Sequence, residues 1–244
     1  MRALEKKTKG FTLLELLVVI AILGILSATA YPNISSWIKE RKVRQAAEKI
    51  KNLISGINAQ VQRGSYEFVQ VRFIEDGSVT IFTSGIGMNS LAAKKKDPDN
   101  DFNKKNARCN ISNEYWDDKG SDVPASPGVG LFTSDEITIN FADTNAVCFS
   151  KDGSYFSSSG IESPLIVCLR RITIVKCNAK VIDNDVVPDI DLYKIDGDWK
   201  GDENYIYGVA WSRFGDVVMK KWVVEYGINE AKEKVVIDGK WIQR

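Results

Sequence analysis

From Phe11 to Ala30 the chain is apolar almost throughout, and Glu15 is the one charged residue in the stretch. Roughly 20 residues of helix, rising about 1.5 Å each, match the ~30 Å of hydrocarbon in a bilayer, so a transmembrane helix is expected over 11–30. Pro32 follows at once; a lost backbone hydrogen bond and a ring clash predict a kink there. A helical period then resumes, with apolar residues at Val43, Ala46, Ala47, Ile50, Leu53, Ile54, Ile57 and Val61, the spacing of a single buried face. Charged residues such as Lys39, Arg41, Lys42, Lys49 and Lys51 occupy the other face, with Glu40 and Arg44 spaced as an i, i+4 pair. One helix over 11–63, about 80 Å long at 1.5 Å per residue, thus inserts its inner half in a membrane and docks its outer half on a head.

After Gly64 the period shortens to that of strands. Tyr66–Ile74 and Val79–Thr83 flank Asp76-Gly77, a hairpin signal. Residues 86–134 are polar and turn-rich, and read as a loop insertion with little regular structure. Further strands are expected at Glu136–Phe141, Ala146–Phe149, Ser154–Phe156, Leu165–Leu169, Ile172–Val175 and Val181–Ile182, then at Tyr205–Ser212, Asp216–Tyr226 and Lys234–Ile237. A second hairpin turns at Phe214-Gly215-Asp216. The class is α+β: a long N-terminal helix packed on an antiparallel β-sheet head over 64–244.

Glu15 is the anomaly in this pattern. A carboxylate at the centre of a membrane helix costs roughly 2.5–3.5 kcal/mol, so it needs a partner. Residues 1–10 form a basic leader ending in Gly10, and cleavage between Gly10 and Phe11 would create an α-amine four residues from Glu15. A secretory signal places its cleavage site after the apolar core; here the site precedes it, and the core stays with the mature protein. KGFTLLELLVVIAILGILSATAYP closely resembles the class III signal sequence of type IV pilins and type II secretion pseudopilins. That resemblance implies a prepilin cut after Gly10 by a prepilin peptidase and N-methylated on Phe11. It implies that Glu15 neutralises the amine of a neighbouring subunit during assembly, on an inner-membrane platform. It also implies that the helix between Gly24 and Pro32 can lose helicity in a filament. The precursor would be a single-pass inner-membrane protein with a periplasmic head, later part of a cell-surface pilus or a periplasmic pseudopilus. About 234 mature residues with a long insertion fit a minor subunit better than a major one.

Charge agrees with export. Arg2, Lys6, Lys7 and Lys9 oppose only Glu5 in the leader, and positive flanks stay cytoplasmic. The rest carries 29 basic and 31 acidic side chains, which gives no global attraction to nucleic acid or anionic lipid. Because some pilins of the resembled family serve DNA uptake, three local basic groups are candidate DNA contacts: Lys94–Lys96 with Lys104, Lys105 and Arg108; Arg170, Arg171 and Lys176; and Lys220, Lys221, Lys232, Lys234 and Lys240 beside Trp222 and Trp241. Acids interleave with all of them, and a solvated mixed surface is the stronger reading. No cofactor is expected. Calcium is a minor possibility, because some family members hold it in the head. Asp97, Asp99 and Asp101 alternate as in a calcium loop, but Phe102 and Arg108 replace the glycine and glutamate such a loop needs. Asp196, Asp198 and Gly201 match three loop positions, while Lys200 and Tyr207 spoil two. With no histidine in the chain, histidine-based hydrolase and metal chemistry is excluded, and no enzyme is expected.

Cys109, Cys148, Cys168 and Cys177 make an even count in an exported head, where disulfides are the default and three connectivities are open. Cys148 and Cys168 flank an expected strand pair, which favours a bond between them. Cys168 and Cys177 would lie about 30 Å apart on a continuous strand and can bond only if the chain reverses near Arg170-Arg171.

Overall fold

The computed structural model describes residues 11–96, 109, 130–141, 144–152, 155–157, 164–170, 177, 179–182, 185–188, 194–195, 198–199, 205–212, 216–228 and 234–243. It divides into two units, Met1–Lys39 and Glu40–Arg244. Helix α1, Leu13–Gln62, runs through both. The backbone at Pro32 is assigned to this helix without a break.

In the second unit, α1 is followed by β1 (Phe68–Asp76), β2 (Ser78–Ile86), α2 (Met88–Lys96), β3 (Leu131–Ser134), β4 (Ile137–Ile139), β5 (Thr144–Ser150) and β6 (Tyr155–Ser157). Next come β7 (Leu165–Leu169), β8 (Ala179–Ile182), β9 (Asp185–Pro188), β10 (Lys194–Ile195), β11 (Asp198–Trp199), β12 (Tyr207–Trp211), β13 (Val217–Ile228) and β14 (Lys234–Gln243). Two five-stranded sheets result, ordered β3-β2-β1-β5-β6 and β14-β13-β12-β7-β4, with β8-β9 and β10-β11 as separate two-stranded ribbons. Every pairing is antiparallel. The β1–β2 hairpin turns at Gly77, whose φ of 65° suits glycine. The β12–β13 hairpin is closed by the Ser212 N–H donating to the Asp216 carbonyl at 2.9 Å.

The insertion read as loop over 86–134 contains regular structure. Helix α2 opens it and β3 closes it, adding an edge strand to the first sheet. The expected strand at Ile172–Val175 lies outside the described residues.

One core cluster joins α1 to both sheets. Val43, Ala46, Ala47, Ile50, Ile54, Ile57 and Val61 of α1 are buried with Val69, Val71 and Phe73 of β1 and with Leu165, Val167, Tyr207 and Val209 of the second sheet. Leu53 packs against this cluster half-buried. The helical period thus places its apolar face as expected. Phe73 stacks against Trp211 at 6.3 Å, linking the sheets directly. The charges flanking this face do not form the expected Glu40–Arg44 pair. Arg44 bonds Glu48 at 2.9 Å, whereas the Glu40 carboxylate accepts the Tyr207 hydroxyl at 3.0 Å and pairs with Lys221.

Each sheet also buries part of its other face. Phe68 and Gln70 of β1 lie opposite Val69 and Val71, and Phe68 is buried with Ile86, Leu91, Cys109, Ala146 and Cys148. Ile166, Cys168, Cys177, Val186, Ile206 and Trp222 form a corresponding cluster on the second sheet. A disulfide lies in each: Cys109–Cys148, with Cα atoms 5.7 Å apart, and Cys168–Cys177, at 5.9 Å. The expected Cys148–Cys168 bond is therefore incorrect. β5 carries Cys148 in the first sheet and β7 carries Cys168 in the second, so the two strands are not neighbours. The chain instead leaves β7 after Leu169 and returns Cys177 to Cys168, the reversal that such a bond requires.

A buried polar link completes the contact between sheets. Glu75, at the end of β1, accepts hydrogen bonds from the Thr138 hydroxyl and, at 3.4 Å, from the Ile139 N–H, both on β4. Arg170 Nη2 lies 3.1 Å from the same carboxylate, and its Nε donates to the Ile137 carbonyl at 3.0 Å. The Glu75 side chain is only 5% exposed.

Close packing around Trp222 gives a local test. A Cβ on Gly239 would meet the Trp222 ring at 2.3 Å, and that ring is held edge-to-face by Trp241 at 5.1 Å. Gly239→Ala is expected to lower head stability by about 1–3 kcal/mol through overpacking. Gly56→Ala, on an exposed turn of α1 with open space around it, is expected to raise stability by about 0.5–1 kcal/mol. Urea unfolding of the detergent-solubilised proteins checks both signs.

Candidate functional site: the N-terminal segment

Thr12 marks the start of α1. Its carbonyl accepts the Leu16 N–H at 3.2 Å, the first bond of the helix, and its Oγ1 accepts the Glu15 N–H, also at 3.2 Å. Thr12 is therefore the N-cap and Glu15 the third helical residue. Thr12-x-x-Glu15 is a capping-box spacing, in which the carboxylate can turn back to the N-cap amide. Among the described residues only the hydroxyl half is formed, and the Glu15 carboxylate has no partner. Its place in the first turn is favourable, because the helix dipole is positive there. Thr12 is the residue that reading the apolar run alone passes over; the T-x-x-E spacing was the available signal.

The surface around Glu15 is apolar and uncovered. Every residue from Phe11 to Ser27 is exposed, Phe11 at 86% and Leu13 at 76%. Ile34, Trp37 and Ile38 are exposed as well. Burying such side chains is worth about 25 cal/mol per Å², so this first unit contains a large unsatisfied demand for an apolar environment. Among the described residues no helix is long and apolar enough to cross a membrane.

The other residues singled out in the sequence fall as follows. Gly10 lies outside the described residues. Gly24 is within α1 with open space around it; Pro32 is helical in its backbone, and its side chain is outside the described residues. Asp97, Asp99 and Asp101 are also outside, as are Asp196 and Gly201. Among the described residues no three acidic, cysteine or histidine side chains gather as a metal site. In the basic groups, Arg170 is engaged by Glu75 and Lys221 by Glu40, while Trp222 is buried against Trp241. These three side chains serve the fold and present no cation or ring to a nucleic acid; Lys104, Lys105, Arg108, Arg171, Lys176 and Lys232 lie outside the described residues.

A match to a known family model falls within the first unit. Residues 6–31 match the prokaryotic N-terminal methylation motif. The chain is 43% identical over 56 residues to a fimbrial protein of Moraxella nonliquefaciens, covering 23% of this chain and 36% of that one. It is 36% identical over 59 residues to a fimbrial protein of Pseudomonas aeruginosa, covering 24% and 38%. The type IV major fimbrial protein FimA of Dichelobacter nodosus is 38% identical over 56 residues, covering 23% and 36%. The chain thus spans little more than a third of the length of these relatives. No solved structure matches it. Over part of its length, then, the chain is similar to fimbrial proteins, and residues 6–31 carry the prokaryotic N-terminal methylation motif.

Proposed function

We propose that the chain is a structural subunit of a type IV pilus. It is made as a prepilin, held in the inner membrane by residues 11–30, cut after Gly10 by a prepilin peptidase and N-methylated on Phe11. It then assembles with other pilin subunits through α1 on an inner-membrane platform. The observation that carries this reading is an exposed apolar helix whose Glu15 carboxylate, four residues from the proposed new amine, has no partner among the described residues. In a filament the apolar surface is covered by neighbouring helices. Each Glu15 offsets a neighbour's Phe11 amine, and the pair disfavours registers that strand either charge in an apolar setting.

Intact-mass spectrometry of the unreduced protein from membranes and from sheared surface filaments tests the proposal. The expected product begins at N-methylated Phe11, is present in the filaments, and is lighter by two protons for each of the two disulfides. The same mature mass confined to the periplasm would assign the chain to a type II secretion pseudopilus. Its copy number relative to the main filament protein separates a minor subunit from a major one. Gly10→Val is expected to leave only full-length precursor in the membrane. A normal mature mass from that variant removes the processing step from the proposal.

A further inference from the structure

We propose that Gln70 is a positioning residue for oxidation of the head: its buried amide holds the Cys109 carbonyl beside β5, so that Cys148 closes on Cys109. Chain length alone favours another bond. Cys148 is nearer in sequence to Cys168 than to Cys109, and closing a loop becomes harder as it lengthens. In the folded head Cys168 is withdrawn on β7 of the second sheet, and Cys109 must be brought to Cys148 over a sequence separation of 39.

Gln70 stands directly opposite Cys148 in the β1–β5 pairing, and residues so placed carry their side chains next to each other on one face. From there Gln70 Nε2 donates to the Cys109 carbonyl at 3.3 Å. One side chain thus neighbours the first cysteine and holds the backbone of the second. The other disulfide is built on the same plan. Thr138 stands opposite Cys168 in the β4–β7 pairing, and Cys177 Sγ lies 3.3 Å from the Thr138 carbonyl oxygen. There a main-chain group meets the incoming cysteine; at Cys109 a replaceable amide does.

Packing gives that amide no other use. Gln70 is fully buried, and its Oε1 has no hydrogen-bond partner among the described residues. It shares its face of β1 with Phe68, which is buried with Ile86, Leu91 and Ala146. An unmet acceptor in such a place is costly, so an apolar side chain of the same length would fill the space better. Oxidation itself is thiol–disulfide exchange with a disulfide oxidant. One cysteine thiolate attacks the oxidant and expels a thiolate from it; the other attacks the mixed disulfide and expels the second. Cys109 and Cys148 together lose two protons and two electrons, and the oxidant is reduced to two thiols. Gln70 acts on the second step, which is intramolecular, by holding one cysteine where the other can reach it.

The test compares the full-length chain with Gln70→Met, each equilibrated in detergent with mixtures of reduced and oxidised glutathione. Free thiols are then alkylated, and each bond is counted by peptide mass spectrometry. Methionine keeps the length of the side chain and loses the donor. The equilibrium constant for closing Cys109–Cys148 is expected to fall about fivefold, the factor that one ordinary hydrogen bond is worth. That for Cys168–Cys177, measured in the same molecules, is expected to stay within about twofold of wild type. A Cys109–Cys148 value within about twofold of wild type would overturn the inference. So would a parallel fall in both bonds, because Gln70 would then serve the head as a whole. If methionine is not accommodated, Gln70→Leu is read in the same way, and failure of both variants to reach the oxidised fold also overturns the assignment.

Discussion

Chains carrying Glu15→Leu are expected in the membrane at normal levels and with the mature N terminus, but in sheared filaments at a tenth of the wild-type amount or less. Two effects of the substitution can be separated by size. Loss of the first-turn carboxylate weakens the start of α1 by about 0.3–1 kcal/mol, at most about a fivefold change. Loss of the partner of a buried amine costs several kcal/mol, because the remaining charge is stranded in apolar surroundings. Glu15→Gln retains helix compatibility and polarity while removing the charge, and is expected to fall nearly as far as leucine. Quantitative immunoblotting of membrane and filament fractions reads both. If Glu15→Gln assembles normally, charge neutralisation is not what Glu15 supplies.

In the head, Glu75→Ala is expected to cost about 3 kcal/mol of stability, a large share of the ~5–15 kcal/mol typical of a domain. The substitution leaves Arg170 without its carboxylate and the buried Thr138 hydroxyl without its acceptor, and breaking one side of a buried pair costs about 3–5 kcal/mol. Partial exposure of Arg170, at 21%, places the effect at the lower end. Replacing the pair together, as Glu75→Met with Arg170→Met, is expected to recover much of the loss, since an apolar pair leaves no charge unpaired. Urea unfolding of the two single variants and the double variant measures the coupling. A single-variant loss below about 0.5 kcal/mol would mean that the link between the sheets does not depend on this carboxylate.

Legibility in the sequence follows the range of the interactions involved. The apolar positions of α1 from Val43 to Val61 are readable because one face repeats through five turns, and the Asp76-Gly77 turn because only a few residues tolerate its geometry. β7 is readable at its full extent, Leu165–Leu169, as a short apolar run. Helix α2 escapes notice because among its described residues only Leu91 lies in a core cluster, and nine residues ending in three lysines are too short to show a period. The disulfide partners are unreadable for a different reason. They depend on β5 and β7 joining different sheets, which no local pattern encodes. Glu40 meets Lys221 and Tyr207 across more than 160 positions of chain, so its i+4 neighbour was the wrong partner to expect. At the N terminus, Phe11 and Glu15 are conspicuous against an apolar background. Thr12 is not, because its role rests on a hydroxyl three residues before an amide.

The shared core of α1 and the two sheets also has a mechanical consequence. From Val43 to Val61 the helix is buried in the same cluster as both sheets, and the contacts of Glu40 and Lys42 lie at the entry to that stretch. A pull along α1 therefore loads both sheets at once, as shear across many contacts rather than peeling of one edge. Neither sheet can yield first and leave the other intact around the helix. Under tension the head is expected to hold until it gives way in one step, at a rate set by the barrier to unfolding the whole of that core.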